Sequence, residues 1–252
     1  MKQPLLSASG LALGYRDATI LENVSFALDS GDIFAVVGHN GSGKSTLIKT
    51  LLNNLAPLAG TLRWERGKPD TIAYLGQRTE FDSHFPIRVK DLAAMGVWSS
   101  LGLLGQVDSD CQRRIDAALE RTGIANIANM PLHQLSAGQL QRALFARTMV
   151  QDAPLILLDE PFTAVDQNTE AELLTLIDDW AAEGRTVVLV LHDLSAVLQH
   201  CNAALLLGRG RSIFGEPKST LAPSNLIDFG YLSAGQAAWI ETMYGSSENN
   251  SV

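Results

Sequence analysis

Gly38-His39-Asn40-Gly41-Ser42-Gly43-Lys44-Ser45-Thr46 is the stretch from which the rest of the chain is read. It follows the apolar run Ile33-Phe34-Ala35-Val36-Val37 and precedes a helix expected from Lys44 to about Asn53. A strand, a glycine-rich turn and a helix start are the context in which G-x-x-x-x-G-K-[ST] acts as a phosphate-binding loop. Gly38, Gly41 and Gly43 allow the backbone to curl so that its N–H groups face inward. The helix N-terminus adds the positive end of its dipole. Lys44 suits the β- and γ-phosphates as a point charge, and Ser45 offers a hydroxyl to Mg²⁺. Asn40, Ser42 and Thr46 complete the loop as candidate nucleotide contacts.

The whole chain sets bounds. Its 252 residues, 46% hydrophobic, suffice for one domain with a substantial core. The formal net charge of −8 argues against nucleic acid as the main partner, because neutralising phosphates takes clustered Lys and Arg. Cys111 and Cys201 lie far apart and form no C-x-x-C, so they read as idle thiols of a reducing compartment. The apolar runs Thr186–Leu191 and Ala203–Leu207 are far too short to span a membrane, and the N-terminus carries no signal-peptide pattern. A cytoplasmic protein is expected.

Along the chain, Leu5–Leu13 and Ile20–Leu28 alternate as strands, separated by the turn-like Gly14-Tyr15-Arg16-Asp17. Tyr15, placed in that loop, is either a packed surface aromatic or a face on which a purine stacks. Thr61–Glu65 and Thr71–Leu75 read as short strands, the second leading into Gly76-Gln77. From residue 84 to 150 the strand signals cease. Helices are expected at Val89–Met95, Asp110–Arg121 and Gln139–Val150. Ser136 and Gln139 have capping-box spacing, and a capped N-terminus with Gly138 is also a second anion site.

Leu155–Leu158 is a continuous apolar run, as in a buried parallel strand, and it ends in Asp159-Glu160. Carboxylates at that strand end lie on the ligand-binding edge of an open α/β sheet. Asp159 would hold Mg²⁺, and Glu160 would act as base or orient the attacking water. Asp166 precedes a helix over Gln167–Ala182. The strand Thr186–Leu191 delivers His192 to the same edge, where it would contact a γ-phosphate. Two final strands, Ala203–Leu207 and Arg211–Phe214, precede a tail from residue 216, with helices expected near Pro223–Phe229 and Gly235–Tyr244 and a disordered end over Ser246–Val252.

Taken in order, Tyr15, Gly38–Thr46, Gln77, Leu135–Gln139, Leu155–Glu160, Asp166 and His192 resemble an ATP-binding-cassette (ABC) ATPase over about residues 5–230. The resemblance implies an α/β P-loop NTPase fold, a RecA-like parallel-sheet core with an antiparallel β subdomain, plus an all-helical subdomain. The expected partition of one domain over 1–252 is a core at 1–83 and 151–215, helices at 84–150 and a tail at 216–252. The resemblance further implies ATP and Mg²⁺ as cofactors. Tyr15 would stack on adenine. Gln77 would sense Mg²⁺ and the attacking water. Ser136, Gly138 and Gln139 belong to the signature motif, which meets ATP held by a second copy. Asp166 would cross that interface, and His192 would be the switch histidine. Three positions depart from the family pattern: Ala137 in the signature, Gly76 before the glutamine and Val165 before Asp166. None removes a catalytic group.

The finer resemblance, carried by Phe85–Leu92 with Met95-Gly96 and by Glu160–Glu170, is to ATPases of zinc, manganese and iron(II) importers, zinc first. It implies a polytopic membrane permease as partner, an extracytoplasmic metal-binding protein beyond it, and residence on the cytoplasmic face of the membrane. The five histidines, 39, 84, 133, 192 and 200, show no ligand spacing, so the chain itself is not expected to bind the cargo. The competing readings are a soluble cassette ATPase of iron–sulfur assembly or repair, an importer of a different substrate such as an iron chelate, and a P-loop kinase.

Overall fold

The computed structural model describes residues 4–16, 18–65, 67–76, 86–98 and 107–232. Strands β1 (Pro4–Tyr15) and β2 (Ala18–Asp29) form an antiparallel hairpin, and β4 (Ala59–Trp64) pairs with the other edge of β1. A second sheet contains β3 (Ile33–Gly38), β5 (Ile72–Leu75), β6 (Leu155–Asp159), β7 (Thr186–Val190), β8 (Ala203–Gly208) and β9 (Arg211–Gly215). Its order is β5-β6-β7-β3-β8-β9, with every pairing parallel except the last.

The apolar runs explain this sheet. Every residue of β3, β6, β7 and β8 is buried, because both faces are covered. Side chains alternate across the sheet. Phe34 and Val36 join Leu6, Leu21 and Phe26 of the small sheet and Leu47 of α1 (Lys44–Leu51) in one core. The Phe26 and Phe34 rings stack with centroids 5.3 Å apart. Ala35 and Val37 face the opposite core, formed with helices α2 (Val89–Ala94), α3 (Ser109–Arg121), α4 (Ala137–Val150) and α5 (Gln167–Ala182). There Phe145 of α4 stacks on Trp180 of α5 at 5.6 Å, joining the helical region to the sheet. The architecture is therefore the mixed α/β arrangement expected from the sequence, a parallel sheet flanked by an antiparallel sheet and by helices.

Tyr15 is a correction. It lies in β1, paired with Ala18, and not in a loop. The hairpin stays paired to its tip because Gly14 has no side chain: a Cβ there would lie 2.1 Å from the Ala18 carbonyl oxygen. The other differences are at element ends and in short helices. Helix α4 begins at Ala137, two residues before the expected start, because the expected capping box places Ser136 as the N-cap and Gln139 at the third helical position. Helices α6 (Leu194–His200) and α7 (Pro217–Thr220) were not expected, both being shorter than the window of about 11 residues or more over which a helical period is read. In the tail, α8 (Pro223–Asp228) forms where a helix was expected. The helix expected near Gly235–Tyr244 and the tail end Ser246–Val252 lie outside the described residues.

Candidate active site

Three neighbouring strands converge on one edge. Because the order is β6-β7-β3, the segments that follow them end side by side. β3 leads into the glycine-rich loop, β6 ends in Asp159 and Glu160, and β7 delivers His192.

The loop is shaped by what surrounds it. A Cβ on Gly38 would fall 2.6 Å from the Leu207 carbonyl oxygen, and Gly43, the N-cap of α1, has φ of 103° with β2 packed against it. A Cβ on Gly43 would lie 2.6 Å from Leu21 Cδ1. Within the loop, Ser42 Oγ is buried and has no hydrogen-bond partner. Lys44 is buried as well, and its Nζ donates to the carbonyls of Gly38 at 2.7 Å and His39 at 3.2 Å. Burial lowers the lysine pKa, while Glu160 and Asp159 act in the opposite direction. A concave turn with an unmet hydroxyl, a buried cation and a helix N-terminus fits a polyphosphate.

Across from the loop, Asp159 is buried. Burial raises its pKa and neighbouring Glu160 raises it further, with Lys44 and His192 opposing. Glu160 has a φ of 52°, a left-handed conformation costly for a residue with a Cβ, and its N–H bonds the Val190 carbonyl at 3.2 Å. That backbone turn aims the carboxylate at His192, whose Nε2 lies 2.9 Å from Glu160 Oε1. Of the clefts that Glu160 lines, two adjoin the glycine-rich loop. One, of about 660 Å³, is shared with His39, Asn40, His192 and Tyr231. The other, of about 310 Å³, is shared with Ile20, Asn40, Gly41, Gly43, Lys44, Ser45 and Thr46.

Tyr15 stands on the loop side. Lys49, in α1, donates from Nζ to the Tyr15 hydroxyl at 3.0 Å and sits 5.5 Å from the ring centroid. This hydrogen bond lowers the tyrosine pKa.

The remaining expected residues form a separate group. Ser136 Oγ accepts from the Gln139 N–H at 3.2 Å, and Gln139 Oε1 accepts from the Ser136 N–H at 2.9 Å, a complete capping box. Gly138 abuts the start of α5: a Cβ there would lie 3.0 Å from Thr169 Oγ1 and 3.5 Å from Asp166 Oδ2. Asp166 caps α5, accepting from the Thr169 N–H at 3.0 Å and the Thr169 hydroxyl at 2.8 Å, and these bonds hold its carboxyl below the usual range. Ser136, Gly138, Gln139 and Asp166 line neither of the two clefts. Gln77 lies outside the described residues.

Three further residues escaped the sequence reading: Lys49, Arg147 and Tyr231. Arg147 reaches from α4 to the Tyr74 carbonyl at 3.3 Å, at the end of the strand that leads to Gly76. The Tyr231 hydroxyl donates to the His192 carbonyl at 2.8 Å. Both contacts join distant parts of the chain, so no local pattern announces them.

Sheet order, loop and strand ends define a P-loop nucleoside-triphosphate hydrolase. The ABC transporter family matches residues 21–163, and the chain belongs to that family. The manganese transport system ATP-binding protein MntA of Synechocystis sp. is 34% identical over 235 residues, 90% of each chain. The zinc transport system ATP-binding protein TroB of Treponema pallidum is 37% identical over 202 residues, 78% of this chain and 76% of TroB. Among solved structures, a transporter described as of the metal-chelate ABC type, in an inward-facing conformation, is 31% identical and superposes with a TM-score of 0.83, covering 91% of this chain and 90% of the other. The chain is thus an ATP-binding, ATP-hydrolysing protein of the ABC class. No helix among the described residues is long and apolar enough to cross a membrane.

Proposed function

We propose that this chain is the ATPase subunit of an importer of a divalent metal ion, zinc or manganese, and that it works as a head-to-tail pair. The observation that carries the pairing is the division of the site residues into two groups. Ser136, Gly138, Gln139 and Asp166 sit apart from the clefts at the loop, so one chain offers a nucleotide-binding half and a signature half that do not meet. A second copy, rotated head to tail, completes both. The metal reading is supported by the manganese and zinc systems to which the relatives belong. It implies a polytopic permease that contributes the membrane-spanning part, with an extracytoplasmic metal-binding protein upstream.

In this reading Tyr15 stacks on adenine, and the N–H groups of Gly38–Thr46 with Lys44 cradle the phosphates. Ser45, Asp159 and Gln77 hold Mg²⁺, which neutralises phosphate charge when bound. Glu160 accepts a proton from the attacking water or orients it. The water oxygen bonds to the γ-phosphorus, the bond from that phosphorus to the bridging oxygen breaks, and ADP and phosphate leave. His192 contacts the γ-phosphate and is held by Glu160. Each ATP adds its signature contacts only in the closed pair, so γ-phosphate loss shifts the pair toward opening. Residues 84–150 would form the helical part of the domain.

The test is Glu160→Gln. Hydrolysis should fall by roughly 10²–10⁴-fold while ATP binding persists, because the lost group acts on the water and not on nucleotide affinity. With ATP, this variant should sediment as a dimer. Cells carrying it should lose zinc or manganese uptake. Full turnover, or a monomer at saturating ATP, contradicts the proposal.

A further inference from the structure

We infer that Tyr231, in the C-terminal segment, is a positioning residue for the switch histidine and so sets the hydrolysis rate from outside the motifs. The inference rests on the γ-phosphate role given to His192 above. Its geometry is direct. The Tyr231 hydroxyl donates to the main-chain carbonyl of His192 at 2.8 Å. The ring lines the same cleft as His39, Asn40, Glu160 and His192. His192 is the second residue beyond the end of β7 and has no further strand to fix its peptide plane. A donor on its carbonyl fixes that plane, and with it the direction in which the ring leaves the backbone toward Glu160. The imidazole is held at both ends, by Tyr231 through the main chain and by Glu160 at Nε2.

Tyr231 is itself rigidly placed. Its N–H bonds the Leu226 carbonyl at 2.8 Å, as does that of Leu232 at 3.1 Å, closing the end of α8. Phe229 packs onto Gly208 at the end of β8 so tightly that a Cβ on the glycine would lie 2.1 Å from the Phe229 carbonyl oxygen. Arg211 of β9 bonds the Asp228 carbonyl at 3.3 Å and lies 5.1 Å from the Phe229 ring centroid. The last described segment is thus clamped to the antiparallel edge of the sheet and reaches from there to the switch. Burial, and then Asp193, raise the Tyr231 pKa, which favours the protonated phenol that donates here.

Tyr231→Phe tests this in the full-length chain, since it removes one oxygen and leaves the packed ring. A single neutral hydrogen bond predicts a fall in kcat of about 2- to 10-fold. The KM for ATP and the melting temperature should stay at wild-type values. The His192 imidazole ¹H–¹⁵N resonances, assigned by comparison with His192→Ala, should shift in Tyr231→Phe. A wild-type kcat with unmoved resonances overturns the inference. So does a rate loss matched by weaker ATP binding or lower thermal stability, which marks Tyr231 as packing only. The underlying role fails separately: His192→Ala with full turnover removes the histidine's assignment, whereas an inactive His192→Ala beside a fully active Tyr231→Phe removes only the tyrosine's.

Discussion

At the scale of single residues, the site keeps charge where burial opposes it. Lys44 and Asp159 are both buried, and burial shifts each toward its neutral form. Each partly offsets the other's shift, so a ligand carrying several negative charges and a cation suits the pair better than water does. Cys201, which lines neither cleft at the loop, shows the same physics. Burial, and then Asp178, push its thiol up to about 12. A raised acid pKa means that the fold tolerates only the protonated form. Its contribution to stability is complete below the ordinary thiol value and is lost as pH climbs toward the folded-state value. Unfolding free energy should therefore fall with a slope of up to roughly 1.4 kcal/mol per pH unit on the alkaline side. Cys201→Ala should flatten that limb, as denaturant titrations between pH 8 and pH 11 would register. An unchanged slope would mean that the thiol ionises freely in the folded chain.

Among the elements, close approach decides more than propensity. Gly138 lets the N-terminus of α4 rest on the cap of α5, which sets the signature segment beside Asp166. Gly208 lets the residues after α8 lie against the strand edge that carries Tyr231 toward His192. Gly208→Ala must push Phe229 away from β8, and overpacking of this kind costs about 1–3 kcal/mol. The substitution should lower the melting temperature and also lower kcat, because Tyr231 is displaced with the segment. Combined with Tyr231→Phe, it should produce no further loss of rate, since both remove the same contact. Additive losses in rate would show that the segment acts on the switch by another route.

For the whole molecule, the pairing predicts complementation. A copy with Lys44→Ala lacks a working loop, and a copy with Gly138→Asp lacks a working signature. Each should be inactive alone. Mixed, they form hybrid dimers in which one composite site has an intact loop facing an intact signature. Random pairing makes half the dimers hybrid with one working site of two, so activity should recover to about one quarter of wild type if the sites act independently. No recovery in a steady-state phosphate-release assay, with dimerisation verified, would place the complete site within a single chain.

The fold class and most of the site were legible because they are local. The glycine-rich loop needs its residues adjacent, since N–H groups of successive peptides form the anion nest. The buried strands announce themselves as apolar runs because both faces of the sheet are covered, and the capping box of Ser136 and Gln139 spans four consecutive positions. Tyr15 was misplaced because turn residues look alike in sequence, whereas the hairpin register depends on how closely Ala18 approaches Gly14. Tertiary structure alone decided the rest. It set Glu160 against His192 across 32 residues and Tyr231 against the His192 carbonyl across 39. It also kept Ser136 and Asp166 out of the clefts at the loop. Such contacts depend on strand order and on the few places where backbone can touch backbone, and neither leaves a periodic trace in the chain.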